Sequence, residues 1–177
     1  MPANYSQYPR GYFDVIWASP PCTEYSQAKT RGVRRLGEAD LRIVAMNHVI
    51  GKLNPTYWFV ENPVSRDPFG LRYRAVMADL EPYRMECSYC QYGTPYRKRT
   101  HIWTNAQCIL LTCSKAAGFC DFRKQNGRHA ETAQAGPSRD GTPGSGGARN
   151  VYPLPAPLLR ALFRSLKFSH AISAARR

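Results

Sequence analysis

Two side chains in this sequence combine the reactivity needed for covalent catalysis. Cys22 follows the dipeptide Pro20-Pro21, and Glu61 precedes Asn62. A cysteine thiolate is a strong nucleophile, but at a reference pKa of about 8.5 only a few per cent of the thiol is ionised at neutral pH, so a nearby cation or helix terminus must activate it. A glutamic acid whose pKa is raised by burial can donate a proton to the group under attack. The two residue types therefore predict nucleophilic addition assisted by an acid.

Hydrophobic patterning predicts that both residues follow strands. The apolar run 13–18 (FDVIWA) is stopped by Ser-Pro-Pro, and the run 56–60 (TYWFV) is closed by Glu-Asn-Pro. Residues 38–53 between them are expected to form a helix with one apolar face. The members of that face are Leu41, Val44, Ala45, Val49 and Leu53. Strand, helix and strand indicate a parallel βαβ unit, whose ligands bind at the carboxyl ends of the strands. Cys22 and Glu61 are therefore predicted to share one site.

Further elements are predicted downstream of this unit. We expect a weaker helix over 71–80, a strand over 83–89 from the alternation of apolar residues, and its partner strand over 100–104. The last helix is expected to begin near Ala156-Pro157, because proline is tolerated in a first turn. Its apolar stripe consists of Leu158, Leu159, Leu162, Phe163 and Leu166. Residues 136–147 are rich in Gly, Pro and Ser, which favours a flexible linker.

Length and composition limit the class of protein. A chain of 177 residues, 43% of them hydrophobic, can bury one respectable core. We expect a core over 1–135, a linker over 136–148, and a C-terminal segment over 149–177 whose helix packs back on the core.

No apolar run approaches the roughly 18 residues of a membrane span and the amino terminus lacks a signal-peptide core, so a soluble cytoplasmic protein is expected. The net charge of +13 favours nucleic acid as the partner, with a membrane surface or simple solubility as alternatives.

Three motifs resemble those of DNA cytosine-5 methyltransferases and occur in that family's order. Residues 20–26 (PPCTEYS) are similar to its Pro-Pro-Cys-Gln-x-Phe-Ser motif, whose cysteine attacks C6 of cytosine. Residues 57–63 (YWFVENP) resemble its strand ending in Glu-Asn-Val, whose glutamate contacts N3 and the exocyclic amine. Residues 92–99 (YGTPYRKR) look like Tyr-Gly-x-Pro-Gln-x-Arg-x-Arg. Thiolate addition at C6 makes the poorly nucleophilic C5 enamine-like, so the resemblance implies C5 methylation of a base flipped out of the duplex.

The resemblance implies a role for each matched residue. The implied catalytic residues are Cys22, Glu61, Arg97 and Arg99. The implied DNA contacts are Ser26, Arg31, Arg34, Arg35, Asn62 and Lys98. The three arginines of this set lie in the loop after the cysteine, where phosphates would be held. Matching the two arginines of the third motif requires removing one residue, and without that gap Lys98 and Thr100 take their places. Thr23, Pro63 and Tyr96 stand where the family has Gln, Val and Gln, which indicates a divergent, phage-like member.

The same resemblance implies S-adenosylmethionine as the methyl donor and an α/β, Rossmann-like methyltransferase fold. The family's donor-binding strand carries a Phe-x-Gly-x-Gly loop ahead of the first motif, whereas residues 1–12 hold one glycine outside such a pattern. We therefore expect a partial fold, truncated at the N-terminus. The expected donor contacts are Pro20 and Asn150, the latter because residues 149–155 resemble the family's Gly-Asn-x-Val-Pro segment. There are two alternatives. Either a second chain supplies the donor-binding half, or this chain is a fragment that binds nucleic acid without methylating it.

Cysteine spacing indicates a further site. The six cysteines of an intracellular chain are more often thiols, metal ligands or nucleophiles than disulfides. Cys87 and Cys90 have the spacing of a ligand pair, but Cys87 fits the inward face of the strand over 83–89 and Cys90 neighbours a turn. The predicted zinc ligands therefore lie later, in a possible insertion over 106–135: Cys108, Cys113, Cys120 and His129. A zinc-stabilised module that binds nucleic acid is the corresponding alternative function.

Overall fold

The computed structural model describes residues 5–27, 29–65, 68–146 and 153–167. Its helices and strands run in the order β1 (Val15–Ala18), α1 (Leu36–Leu53), β2 (Tyr57–Pro63), β3 (Arg84–Ser88), β4 (Arg99–Thr104), α2 (Asp121–Asn126) and α3 (Ala156–Arg164). Short 3-10 helices cover Tyr5–Gln7, Leu71–Tyr73, Ala75–Tyr83 and Tyr89–Tyr92. The described chain is therefore a mixed α/β structure. The strands expected over 83–89 and 100–104 form as β3 and β4, while the helix expected over 71–80 is replaced by 3-10 turns.

The sheet has the order β1-β2-β4-β3. β1 and β2 are parallel neighbours, with Ala18 opposite Val60, which confirms the predicted strand-helix-strand unit. β4 lies antiparallel between β2 and β3, with Pro63 and Cys87 both opposite Thr100. The carboxyl ends of β1, β2 and β3 and the beginning of β4 therefore meet at one end of the sheet, and the loops there can share a site.

The two faces of the sheet are covered by different elements. Successive residues of β2 point to opposite faces, as a strand's geometry requires. Phe59 packs in a cluster with Leu158 and Leu162 of α3, whereas Val60 belongs to a cluster with Ile43 of α1. The predicted α3 stripe thus reaches the core through Leu158 and Leu162, while Phe163 at its edge is largely exposed.

α1 buries a face that only partly coincides with the one predicted. Leu53 of the predicted face is buried, but Leu41 is 69% exposed and Val44 is 50% exposed, and Ala39 and Ile43 are buried instead. The prediction was wrong for Leu41 and Val44 because the helix carries a second apolar set at the same three- and four-residue spacing. Periodicity cannot choose between two such sets, and the packing against the sheet selects the one that contains Ile43.

Residues 136–146 have no regular secondary structure but contact the preceding loop. Thr142 and Ser145 are buried, and the Ser145 N–H donates to the carbonyls of Thr132, at 3.1 Å, and Gln134, at 3.0 Å. The part of the chain that the structure describes includes no helix with the length and apolar content needed to cross a bilayer.

Candidate active site and a Cys/His cluster

The loop that carries Cys22 is fixed to the end of β2. The fully buried Asn62 donates from Nδ2 to the Pro20 carbonyl at 3.1 Å. The Cys22 carbonyl accepts from the N–H groups of Tyr25, at 2.9 Å, and Ser26, at 2.7 Å, so the chain turns back directly after the cysteine. Pro20 and Asn62, which the resemblance assigned to the donor and to DNA, therefore contact each other. Asn150, the other expected donor contact, lies outside the described residues.

Glu61 is buried beside two side chains, one from the turn after β3 and one from the residue before β4. The residue is only 8% exposed, and the Tyr89 hydroxyl donates to its Oε1 at 3.2 Å. The Lys98 Nζ lies 3.5 Å from the same oxygen and 4.8 Å from the centroid of the Tyr89 ring. Lys98 reaches Glu61 because it directly precedes β4, whose first residues lie beside the carboxyl end of β2. Sequence patterns placed Tyr89 on a strand's inward face but gave no sign of this contact.

Cys22, Glu61 and Lys98 form one electrostatic group. Burial raises the pKa of the half-buried Cys22 thiol, the Lys98 ammonium opposes this rise, and the Glu61 carboxylate adds to it. Lys98 is thus the nearby cation that an activated cysteine requires. This matches the ungapped comparison of the third motif, in which Lys98 stands at the place of an arginine.

The two arginines expected to be catalytic line the neighbouring wall. Arg99 forms a bidentate ion pair with Glu86, at 2.6 Å from Nε to Oε1 and 2.8 Å from Nη2 to Oε2. Arg97 lines the same cleft, and its buried Nε has no hydrogen-bond partner among the described residues. Among the described residues neither arginine forms an ion pair with Glu61, and Lys98 is the cation that pairs with this carboxylate.

A cleft of about 1190 Å³ lies at this end of the sheet, and Cys22, Ser26 and residues 133–135 contribute to its walls. Its basic and acidic lining residues are Lys29, Arg72, Glu86, Arg97, Lys98, Arg99 and His101. Burial, assisted by Arg84, lowers the pKa of His101 to about 4, so this side chain is neutral at pH 7. Lysines and arginines still outnumber the single carboxylate of this lining set, and the cleft therefore suits an anionic ligand.

Arg34 organises the loop after Cys22. Its guanidinium donates to the carbonyls of Glu24, at 2.5 Å, Lys29, at 2.8 Å, and Ser26, at 3.0 Å. These three bonds use three of the five guanidinium donors of Arg34 and fix the shape of the loop, while its predicted phosphate contact stays a prediction.

The side chains of Arg31 and Arg35 are more exposed to solvent than that of Arg34. The Arg35 backbone N–H is fixed by a 2.7 Å bond to the Glu24 carboxylate, while its side chain is 73% exposed and lies 3.8 Å from Glu38. Arg31 is also exposed. These two side chains are therefore accessible from solvent, and their predicted phosphate contacts stay a prediction.

A separate cluster joins four potential metal ligands: Cys90, Cys113, Cys120 and His129. Their ligand atoms all lie within 4.8 Å of one another, and Cys113 Sγ is 3.5 Å from His129 Nε2. Three of these residues were predicted. Cys90 takes the place predicted for Cys108, whose sulfur lies 3.5 Å from Met85 Sδ instead. The prediction failed there because the 3-10 turn after β3 directs Cys90 toward a loop far away in sequence.

A mixed α/β sheet with a cysteine after β1 and a glutamate near the carboxyl end of the parallel neighbour β2 fits the methylase class that the motifs predict. No family model matches the chain. The chain is 28% identical over 127 residues to a protein of Frog virus 3 (isolate Goorha) named "probable DNA (cytosine-5)-methyltransferase". That match takes in 64% of this chain and 56% of the viral protein, so the chain spans little more than half of that relative. The predicted resemblance to a divergent cytosine-5 methyltransferase is confirmed.

Proposed function

We propose that this chain contains the part of a DNA (cytosine-5)-methyltransferase that acts on the target base, within a partial Rossmann-like fold. The observation that carries the proposal is the electrostatic group of Cys22, Glu61 and Lys98 at the carboxyl ends of β1 and β2. A thiol that can be ionised and a buried carboxyl are the two groups that addition to a cytosine ring requires. The viral relative's name supports the same function.

In this proposal the Cys22 Sγ forms a bond to C6 of a flipped cytosine. The electron pair of the C5–C6 double bond shifts to form a C4–C5 double bond, the pair of the C4–N3 double bond moves to N3, and Glu61 in its protonated form balances that charge by donating a proton or hydrogen bond at N3. Lys98 favours the thiolate before the attack, because its ammonium lowers the pKa of Cys22. Tyr89 and Lys98 both contact Oε1 of Glu61, so we assign Oε2 to the edge of the base.

S-adenosylmethionine is the donor that this function implies. A nucleotide-like donor is usually held by a glycine-rich loop at a strand's carboxyl end, where the backbone can approach it closely. Within 5–27, 29–65, 68–146 and 153–167, no strand runs directly into a loop with two or more glycines. The described residues therefore do not form a donor site by themselves. We propose that a further segment or a second chain completes it.

DNA is the proposed substrate. Arg31 and Arg35 are exposed in the loop after Cys22, and Ser26 lines the cleft with Arg97. Contacts from such residues to phosphates hold a duplex in register while base chemistry proceeds elsewhere in the site. Flipping brings the cytosine to Cys22.

The test uses two readouts on the full chain. Incubation with S-adenosylmethionine and DNA that contains 5-fluorocytosine should leave a covalent adduct on Cys22, because fluorine blocks the final elimination. Addition at C6 also makes the hydrogen at C5 exchangeable, so cytosine should take up deuterium from heavy water even without a donor. Cys22→Ser should abolish both signals, and Cys108→Ser, a change to another half-buried thiol, should abolish neither.

The two readouts separate the possible results. Exchange without an adduct would support the roles of Cys22 and Glu61 and leave the donor site to another segment or chain. Absence of both signals from a folded protein that binds DNA would overturn the proposal and favour a binding module without activity.

A further inference from the structure

Three loops converge on the Cys/His cluster. Cys90 lies in the 3-10 turn after β3, Cys113 in the loop after β4, and Cys120 directly precedes α2. His129 follows α2 by three residues, so both ends of that helix are tied to the same point. The cluster therefore joins the sheet to segment 105–135, whose described residues add no strand to the sheet and pair with the chain before β4 through an isolated bridge between Tyr96 and Glu131.

The spacing of the ligand atoms fits a tetrahedral ion. With bonds of about 2.3 Å to sulfur and about 2.0 Å to nitrogen, tetrahedral zinc places its sulfur and nitrogen ligands about 3.5 Å apart and two sulfurs about 3.8 Å apart. Cys113 Sγ and His129 Nε2 are separated by 3.5 Å, and all four ligand atoms lie within 4.8 Å of one another. Three cysteines and one histidine leave no position for water, which is typical of a structural site.

The surroundings are suited to thiolates. Cys90, Cys113 and Cys120 are buried, where unpaired thiolates would be costly. The Cys120 N–H lies 3.4 Å from Cys113 Sγ, in the direction of an N–H···S bond. The Cys113 N–H donates to the Ser88 hydroxyl at 3.0 Å, which fixes this loop to the end of β3. Such contacts orient metal ligands and stabilise their charge.

Segment 105–135 buries few apolar side chains other than its cysteines. α2 has no buried residue, Ile109 is 86% exposed, and Leu111 and Phe122 are also exposed. The buried residues of the segment are Ala106, Cys113 and Cys120. Ala106 is part of the main core and Leu110 and Ala133 pack partly buried against it, but hydrophobic burial here is small, and a metal bound by four side chains can add stability.

We propose that Cys90, Cys113, Cys120 and His129 bind one structural zinc ion. The ion would hold the segment against the sheet and thereby fix residues 133–135, which line the cleft that also contains Cys22. A backbone bond of 3.1 Å from Glu131 to Pro95 continues the connection from His129 to that wall. The proposal concerns metal binding and folding, and it holds whether or not the chain methylates DNA.

Elemental analysis of the full chain purified without chelator tests the proposal. Wild type should contain about one zinc per chain, as a closed four-ligand site requires. Cys90→Ala and Cys113→Ala should contain far less, while Cys108→Ser should retain it. Cys22→Ser, which removes the proposed nucleophile, should also retain it, so a failed methylation assay cannot be mistaken for failure of the metal site.

A second measurement uses wild type and so does not depend on whether the variants fold. Chelation of wild type should make limited proteolysis begin within 105–135, and addition of zinc should restore resistance. Cobalt in place of zinc should give the intense visible bands of a tetrahedral thiolate site. Metal-free wild type whose proteolysis is insensitive to chelator, equal zinc loss in Cys108→Ser and Cys90→Ala, or a disulfide within the cluster would each overturn the proposal.

Discussion

Lys98 and Glu61 have opposite effects on the pKa of the Cys22 thiol. Its ammonium pairs with the Glu61 carboxylate at 3.5 Å and lowers the pKa of the Cys22 thiol, while Glu61 and burial raise that pKa. The pKa of the Cys22 thiol is therefore raised overall in the described structure, with a cation in place that favours ionisation. Under the proposed function, a cytosine bound at Glu61 would weaken the effect of that carboxylate on Cys22 and leave the effect of Lys98, so that substrate binding would favour the thiolate.

Substitutions at these two residues should shift the titration of Cys22 in opposite directions. Lys98→Met removes the cation, so the pKa of Cys22 should rise and alkylation of the thiol should begin at higher pH. Glu61→Gln removes the anion, so the pKa should fall and alkylation should begin at lower pH. The rate of iodoacetamide modification of the Cys22 peptide, measured by mass spectrometry across pH, checks both changes.

The control for this pair is Arg99→Gln. Arg99 is engaged with Glu86 and is not among the groups that perturb Cys22, so its loss should leave the alkylation profile unchanged. Glu61→Gln should also slow deuterium exchange at C5 by about 10²- to 10⁴-fold, the usual contribution of a general acid. Shifts of the same sign for Lys98→Met and Glu61→Gln would contradict the proposed electrostatic group.

The elements position these residues through the register of β4. Because β4 runs antiparallel beside β2, Asn62 lies opposite His101 and the residue before β4 comes level with the end of β2. The same antiparallel arrangement sets Ser88 opposite Arg99, which brings the turn after β3 to the same end of the sheet. The position of β4 thus accounts both for the contact of Lys98 with Glu61 and for the place of Cys90 in the Cys/His cluster.

The buried face of α1 can be tested by a matched pair of substitutions. Ile43→Ala should lower the free energy of unfolding by about 2–5 kcal/mol, because it leaves a cavity at a fully buried site. Leu41→Ala, on the exposed face, should change it by less than about 0.5 kcal/mol. Urea unfolding monitored by tryptophan fluorescence gives both values. A loss at Leu41 as large as that at Ile43 would show that the face predicted from periodicity is buried after all.

The whole molecule carries a net charge of +13, and much of the lining of its cleft is basic. Each phosphate neutralised by a protein cation releases counterions, so binding to duplex DNA should weaken steeply with salt. This charge attracts any polyanion, whereas under the proposed function the end of the sheet that holds Cys22 is where a base would react.

Salt dependence distinguishes phosphate contacts from structural arginines. The logarithm of the DNA association constant should fall linearly with the logarithm of salt concentration, and Arg31→Ala should reduce that slope by about 1. Arg34→Ala should instead increase cleavage of the loop by proteases, because it removes the donors to three carbonyls. Fluorescence anisotropy of a labelled duplex measures the slopes. An unchanged slope for Arg31→Ala would exclude this residue as a phosphate contact.

The sequence by itself indicated Cys22 and Glu61 as candidate reactive residues, the parallel βαβ unit, the resemblance to cytosine-5 methyltransferases, and three of the four clustered potential metal ligands. These follow from local information, namely residue type, motif spacing and the periods of strands and helices. Only the tertiary structure decided that Lys98 and Tyr89 surround Glu61, that Cys90 replaces Cys108, and that α1 buries the face containing Ile43. Contacts of this kind depend on strand register and on which of two similar surfaces packs, and residues distant in the chain fix both.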